Sequence, residues 1–329
     1  MALLRGKRDG AFDTDQYYLE QAVRARLARK ARIRLRRMEP VVLVTPRWSQ
    51  AQRFLDDVAV DLLVGDPIVR SRTLSLAPLA GRTPHQAWSW LVLALTEFCQ
   101  LSLEGPAWQV VSRRGFRHVM RELFARADQG ERRCLMIHGA EHLQVEALRD
   151  LVDLFGEHVR ERRGPARFNL LVAGMIDAPH FAFPDSDPLV LPDFAAGEAL
   201  EVLVEHVGPE DEARLRTAVD IVGGIPAMLD LLGTEAAGRI ADLVADRAAV
   251  WRVLGAIATE VRRSFDIVAA DEALLARMEA IARDGPQPLD PTCDEALLRA
   301  GLVLAQGQPD GSRRTAIRAP FLADLAVAG

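Results

Sequence analysis

Between residues 41 and 191 the chain repeats one pattern. A short apolar run suited to a strand is followed by a stretch with helical spacing. The runs are VVLVT (41–45), VRSRTLSL (69–76), CLMI (134–137), FNLLVAG (168–174) and PLVL (188–191). VVLVT, a near-continuous apolar run, suits a strand buried on both faces. The intervening stretches supply the covers. SQAQRFLDDVAVDLL has apolar side chains at 51, 54, 55, 58, 59, 62 and 63, which is one face of a helix, and Ser49 with Gln52 suggests a capping box at its start. TPHQAWSWLVLALTEFC has Thr83 as a candidate N-cap and Pro84 in the first turn. Further helices are predicted from about Trp108 to Ala127 and from about Leu143 to Arg160. Strands alternating with helices give an α/β fold: a parallel five-stranded sheet with helices on both faces.

From residue 195 helices dominate to about residue 283. A short helix capped by Thr292 and Glu295 then ends at Gly301, and the runs LVLA and TAIRA flank Asp310-Gly311, a hairpin signal. Helix plus hairpin reads as a winged-helix module. The expected divisions are a basic segment 1–40, an α/β domain 41–194, a helical lid 195–283 and a winged-helix domain 284–329. A length of 329 residues, with 49% hydrophobic and 26% charged residues, is enough for such a multi-part core.

Charge and cysteine usage exclude several classes. A net charge of −5 gives no global attraction to nucleic acid or anionic lipid. Cys99, Cys134 and Cys293 lie far apart, form no C-x-x-C pair and offer no disulfide framework. No apolar run is long enough to span a membrane, and MALLRGKRDGAFDTD lacks the apolar centre of a signal peptide. A cytoplasmic protein with no membrane partner is expected. Locally the charge is less even. Arg24, Arg26, Arg29, Lys30, Arg32, Arg34, Arg36 and Arg37 crowd one segment. The plain reading is a solvated helical face. The functional one is an anion, DNA or acidic-partner patch, with Arg32, Arg34, Arg36 and Arg37 as contacts, joined by Arg313 and Arg314 in the wing. Cys134, inside an apolar strand, reads as core, as do Trp88 and Trp90 in an apolar helix.

Three stretches, in order, resemble the P-loop ATPases of the AAA+ and STAND type. TPRWSQAQ (45–52) stands where that family has a Walker A loop close to G-P-R-x-S-G-K-T. Pro46, Arg47 and Ser49 match. Thr45 and Gln50 replace glycines, Trp48 fills a usually small position, Ala51 replaces the lysine and Gln52 the magnesium-binding hydroxyl. CLMIHGAEHL (134–143) stands where the family has its Walker B segment. His138 replaces the magnesium-linked aspartate and Gly139 the water-activating glutamate, while Glu141 follows two residues later. VDIVGGIPAMLDLL (219–232) resembles the G-G-x-P-x-x-L start of a lid helix, and LPDFAAGEALEVLVEHVG (191–208) the segment that enters the lid.

Set against this resemblance, the residues themselves argue that the chemistry is gone. Glycines let backbone N–H groups wrap phosphates, and the lysine supplies countercharge. Alanine cannot. A neutral imidazole suits neither the charge nor the oxygen preference of Mg²⁺. No catalytic residue and no cofactor are expected. His138, Glu141 and His142 also spell H-x-x-E-H, a zinc-peptidase spacing. That motif needs one helix, and here a strand and Gly139 precede it, so zinc is set aside.

The resemblance implies a non-catalytic ATPase-like scaffold, adaptor or regulator, assembling with a protein partner such as an active ATPase relative or a signalling complex, as a homo- or hetero-oligomer. Such proteins occur in bacterial signalling and conflict systems. The alternative is a DNA-binding regulator using the winged helix and the basic segment. A further option is nucleotide binding without hydrolysis, through Arg47 and the lid around Gly223 and Gly224.

Overall fold

The computed structural model describes residues 23–65, 69–101, 112–129, 131–164, 166–175, 187–208, 212–234, 237–307 and 312–328. The chain divides into two compact units. One contains Ala25–Thr45 and Ala51–Leu191; the other contains Pro46–Gln50 and Pro192–Gly329, with Arg24.

The first unit is built on strands β1 (Val41–Val44), β2 (Arg70–Ser75), β3 (Arg133–His138), β4 (Phe168–Gly174) and β5 (Leu189–Val190), in the order β2-β3-β4-β1-β5. Every neighbouring pair is parallel. The side chains alternate between two cores, as the strand period of two requires. Val42, Leu135, Ile137, Leu170 and Val172 pack with helices Pro84–Cys99, Arg113–Ala127 and Val145–Glu161. Val41, Leu43, Cys134, Met136, Leu171 and Ala173 pack on the other face with helices Val23–Arg36 and Ala51–Gly65. This double burial is why β1, β3 and β4 read as largely apolar runs, whereas edge strand β2 is exposed or half-buried and carries Arg70, Ser71, Arg72 and Thr73.

Several local signals resolve as the sequence suggests. Thr83 caps its helix in a full capping box with Gln86, and Trp88 is buried, stacked 5.7 Å from Phe116. Others differ. The helix expected from Trp108 begins at Arg113, because Ser112 is extended and accepts from the Gly115 amide; residues 108–111 lie outside the described residues. Helix Ala51–Gly65 follows Gln50, which is left-handed at φ 52, so Ser49 stands one residue early for an N-cap.

In the second unit, helices Ala196–Val207, Glu212–Val222, Pro226–Thr234, Ala237–Ala245, Gly255–Ala269 and Glu272–Asp284 share one apolar core. Strand β6 (Gln287–Pro288), helix Pro291–Ala300, strands β7 (Val303–Gly307) and β8 (Arg313–Ile317) and helix Pro320–Ala328 complete it. The small sheet is antiparallel in the order β6-β8-β7. The cap of helix Pro291–Ala300 is Asp290, which accepts from the Thr292 amide, rather than the Thr292–Glu295 pair. Pro291 in the first turn explains the shift: it fixes φ and needs no hydrogen bond there. Asp310-Gly311 lies outside the described residues.

Candidate functional site

Parallel α/β sheets place ligands at the carboxyl ends of their strands. Here the register sets Val44 beside Gly174, and His138 beside both Ser75 and Ala173. The chain leaves β1 through Thr45, a buried residue whose amide donates to the Gly174 carbonyl at 2.8 Å.

The next five residues, Pro46–Gln50, belong by their contacts to the second unit. The Ser49 amide closes a turn on the Pro46 carbonyl at 3.3 Å. The three following carbonyls all have donors. That of Arg47 accepts from Arg318 Nη1 at 2.5 Å, that of Trp48 from the Ala227 amide at 3.0 Å, and that of Ser49 from Arg24 Nη2 at 3.0 Å. Ala227 lies in the first turn of helix Pro226–Thr234, so Trp48 satisfies one of its orphan amides. The side chains are committed as well. Arg47 Nε donates to the Arg299 carbonyl at 3.0 Å and Nη1 to Ser264 Oγ at 3.4 Å. Trp48 Nε1 donates to Glu260 at 3.0 Å. A Cβ on Gly301 would lie 2.9 Å from Arg47 Cβ and 3.0 Å from the Trp48 ring, so that close approach needs glycine.

Trp48 and Gln50 have φ of 59 and 52. Gln50 stands where the resemblance puts a glycine, so the backbone keeps a glycine-like bend although the glycine is gone. L-residues bear a cost of about 1–2 kcal/mol in this region.

Arg318 is the second key cation, and its side chain is fully buried. Its guanidinium clasps Asp193 in a two-point pair, Nε to Oδ2 and Nη2 to Oδ1, both at 2.6 Å. It also lies 5.8 Å from the Trp48 ring centroid. Gly223 and Gly224 are packed for close approach: a Cβ on Gly224 would lie 1.8 Å from the Phe194 carbonyl oxygen, and one on Gly223 3.2 Å from that of Arg318.

At the end of β3, His138 is still in the strand, Gly139 bends at φ 77, and Ala140–His142 form a 3-10 turn. His138 and His142 therefore do not share a helix. Glu141 Oε2 accepts from the Met175 amide at 3.0 Å, and a Cβ on Gly174 would lie 2.6 Å from the same oxygen. This carboxylate pins the end of β4. Burial pushes the His138 imidazole below its ordinary value, against the opposing pull of Asp56 and Glu141, and His142 lowers it further. That direction favours the neutral imidazole. Ala51 opens the following helix as a half-buried residue packed against the sheet core, and Gln52 is exposed. Cys134 is fully buried, and burial pushes its thiol up to about 12, as for a core residue.

The basic residues separate by environment. Arg32, Arg34 and Arg36 are half-buried and Arg37 is exposed; Arg34 Nη1 donates to the Asp187 carbonyl at 2.6 Å. Arg313 and Arg314 are exposed on β8. The acids at the start of helix Pro291–Ala300 are already paired: buried Asp294 with Arg277, and Glu295 with Arg299. No local pattern marks Asp193, Glu260, Ser264 or Arg318 as partners of the loop. The one available signal was a charged residue amid apolar neighbours, as in TAIRA.

No protein-family model and no curated protein matches the chain. Among solved structures it is similar to a Walker-type ATPase of Pyrococcus abyssi, at 14% identity over 92% of this chain and 95% of that one, with a TM-score of 0.58. It is also similar to Cdc6p from Pyrobaculum aerophilum, at 11% identity over 93% and 92% of the two chains, with a TM-score of 0.50. At these identities the likeness concerns the fold: a P-loop-NTPase-like architecture.

Proposed function

We propose that this chain is a non-catalytic P-loop-ATPase-like protein that acts as a scaffold, adaptor or regulator through protein assembly. The observation that carries the reading is the fate of Pro46–Gln50. Three of its carbonyls and both long side chains are engaged by the protein itself, with Arg47 on Arg299 and Ser264 and Trp48 on Glu260. A phosphate loop needs amides and a cation turned to the ligand. Here Arg47 is committed elsewhere, Arg318 is neutralised by Asp193, and position 51 is alanine. The Walker B positions support the same reading, since a neutral imidazole and a glycine neither hold Mg²⁺ nor orient water.

In this proposal the α/β unit and the helical segments after residue 195 are kept for the surfaces they present, and the helix–hairpin module ending the chain serves as a winged helix for protein contact. The partner is a protein, such as an active ATPase relative in a mixed assembly or a signalling complex. Calorimetric titration with ATP and Mg²⁺ tests the first half. No heat of binding up to millimolar nucleotide is expected. Micromolar binding, or turnover abolished by Arg47→Ala, would defeat it.

A further inference from the structure

Helix Val23–Arg36 carries seven cations and no acid, and Arg37 directly after it makes an eighth. The pseudo-ATPase reading uses only Arg24. At about 100° per residue, positions 26, 29, 30, 33 and 37 fall within an arc of about 100°. Burial divides the helix along the same line. Arg26, Arg29, Lys30, Ile33 and Arg37 are all exposed, whereas Ala31 and Leu35 are fully buried and Leu27 and Ala28 pack against the same core. The stripe runs about 16 Å at 1.5 Å per residue. It borders an open groove of about 330 Å³ also lined by Arg34 and Glu39, the only carboxylate among the described lining residues.

This ridge is held in place. The Arg37 amide bonds the Ile33 carbonyl at 3.1 Å, so residue 37 keeps the helical register. The Glu39 amide bonds the Arg34 carbonyl at 2.9 Å, and Arg132 Nη2 bonds that of Arg36 at 2.5 Å. Buried Asn169 donates to the Glu39 carbonyl at 2.9 Å and thereby ties the helix end to β4. The cations therefore stand on a fixed frame, and little backbone order need be gained on binding.

The chemistry of the stripe selects its ligand. An amphipathic helix that lies on a membrane must offer an apolar face, but the apolar face here is in the core and only Ile33 is exposed among the cations. Three of the four exposed cations on the arc are arginines, whose forked donors fit phosphate oxygens. Duplex nucleic acid presents about one negative charge per 1.7 Å of axis, a density that several cations of a 16 Å ridge can engage together. No Asn or Gln lies on the stripe to read base edges.

We propose that Arg26, Arg29, Lys30 and Arg37 form a sequence-independent ridge for the phosphate backbone of duplex nucleic acid. This goes beyond the scaffold reading and does not depend on it, because neither Pro46–Gln50 nor the state of the ATPase-like loop takes part.

The test is retardation of unrelated 20-bp DNA and RNA duplexes by the full chain across a salt series. Four phosphate contacts give a slope of log K on log salt of about −3.6 for DNA, or about 150-fold weaker binding at 200 mM than at 50 mM. The quadruple variant Arg26→Gln, Arg29→Gln, Lys30→Gln, Arg37→Gln is expected to abolish this slope. Arg29→Lys with Arg37→Lys is expected to keep it, and so is Arg313→Gln with Arg314→Gln in the wing. Should the quadruple variant not fold, Arg29→Gln with Arg37→Gln alone is expected to lower the slope by about 1.8. Retardation of either duplex that follows this pattern supports the ridge, and the stronger of the two identifies the source of the phosphate. The proposal is overturned if neither duplex is retarded at 50 mM salt, if the glutamine variants leave the slope unchanged, or if the slope disappears in the wing variant instead. It is also overturned if polyglutamate or phosphatidylserine vesicles bind as tightly and through the same four residues.

Discussion

Replacing Arg318 by leucine tests how firmly the protein itself holds the loop Pro46–Gln50. Arg318 is fully buried, Asp193 is 11% exposed, and two 2.6 Å bonds join them. A third bond reaches the Arg47 carbonyl. The variant leaves a nearly buried carboxylate without its countercharge and a loop carbonyl without its donor. Removing one partner of a buried pair costs about 3–5 kcal/mol, a roughly 10²- to 10⁴-fold change in the folding equilibrium. Urea unfolding, followed by circular dichroism and tryptophan fluorescence, measures it. Arg318→Leu combined with Asp193→Leu separates the value of the pair from the penalty of an orphaned charge. Replacing both ions by apolar groups is often close to neutral, so the double variant is expected to be more stable than Arg318→Leu alone. A loss under about 1 kcal/mol in the single variant would mean that water screens the pair. A double variant that loses the sum of the two singles would mean that the residues do not act on one another. Either result refutes the reasoning.

Two other outcomes are expected. Gln50→Gly should stabilise the protein by about 0.5–1 kcal/mol, because relief of a left-handed residue exceeds the entropy cost of glycine; Trp48→Gly, at a similar φ, should destabilise it by losing the bond to Glu260 and the packing of the ring, and thermal melts of the two variants should shift in opposite directions. Acid should weaken the second unit through Asp294. Burial alone raises that carboxyl, but Arg277, the Thr315 hydroxyl and the Asp290 amide outweigh burial and hold it below its ordinary 3.8. A folded value below the unfolded one stabilises fully above the unfolded value and loses that contribution as pH falls through the folded one. Stability measured from pH 6 to pH 2 should therefore fall below about pH 4, and Asp294→Asn should flatten that limb while lowering stability at pH 7.

Strands β1, β3 and β4 were legible because they are covered twice, so that hydrophobicity marks them, whereas edge strand β2 carries Arg70, Ser71 and Arg72. The ends of β3 were less legible. Arg133 and His138 belong to β3, yet neither reads as a core strand residue; Arg133 is buried because its guanidinium reaches the Cys99 carbonyl. The cap of helix Pro291–Ala300 is misread from sequence because Thr292 and Glu295 imitate a capping box two residues after the actual N-cap, Asp290. In the loop, Trp48 and Ala51, at positions the resemblance gives to a small residue and a lysine, were plain in the sequence, but the partners that hold Pro46–Gln50 were not. Arg318 meets Arg47 across 271 positions, and Trp48 meets Glu260 across 212. Local pattern holds no trace of such pairings, which exist only once the core has brought the segments together.

The carbonyl of Trp48 sits on the amide of Ala227, and the arginines beside it face inward. On the proposed reading, Ala51→Lys alone would not equip this loop to hold a triphosphate. That change would add a charge while the neighbouring groups stayed tied to their present partners. Freeing those groups one at a time would forfeit stability before any ligand could restore it.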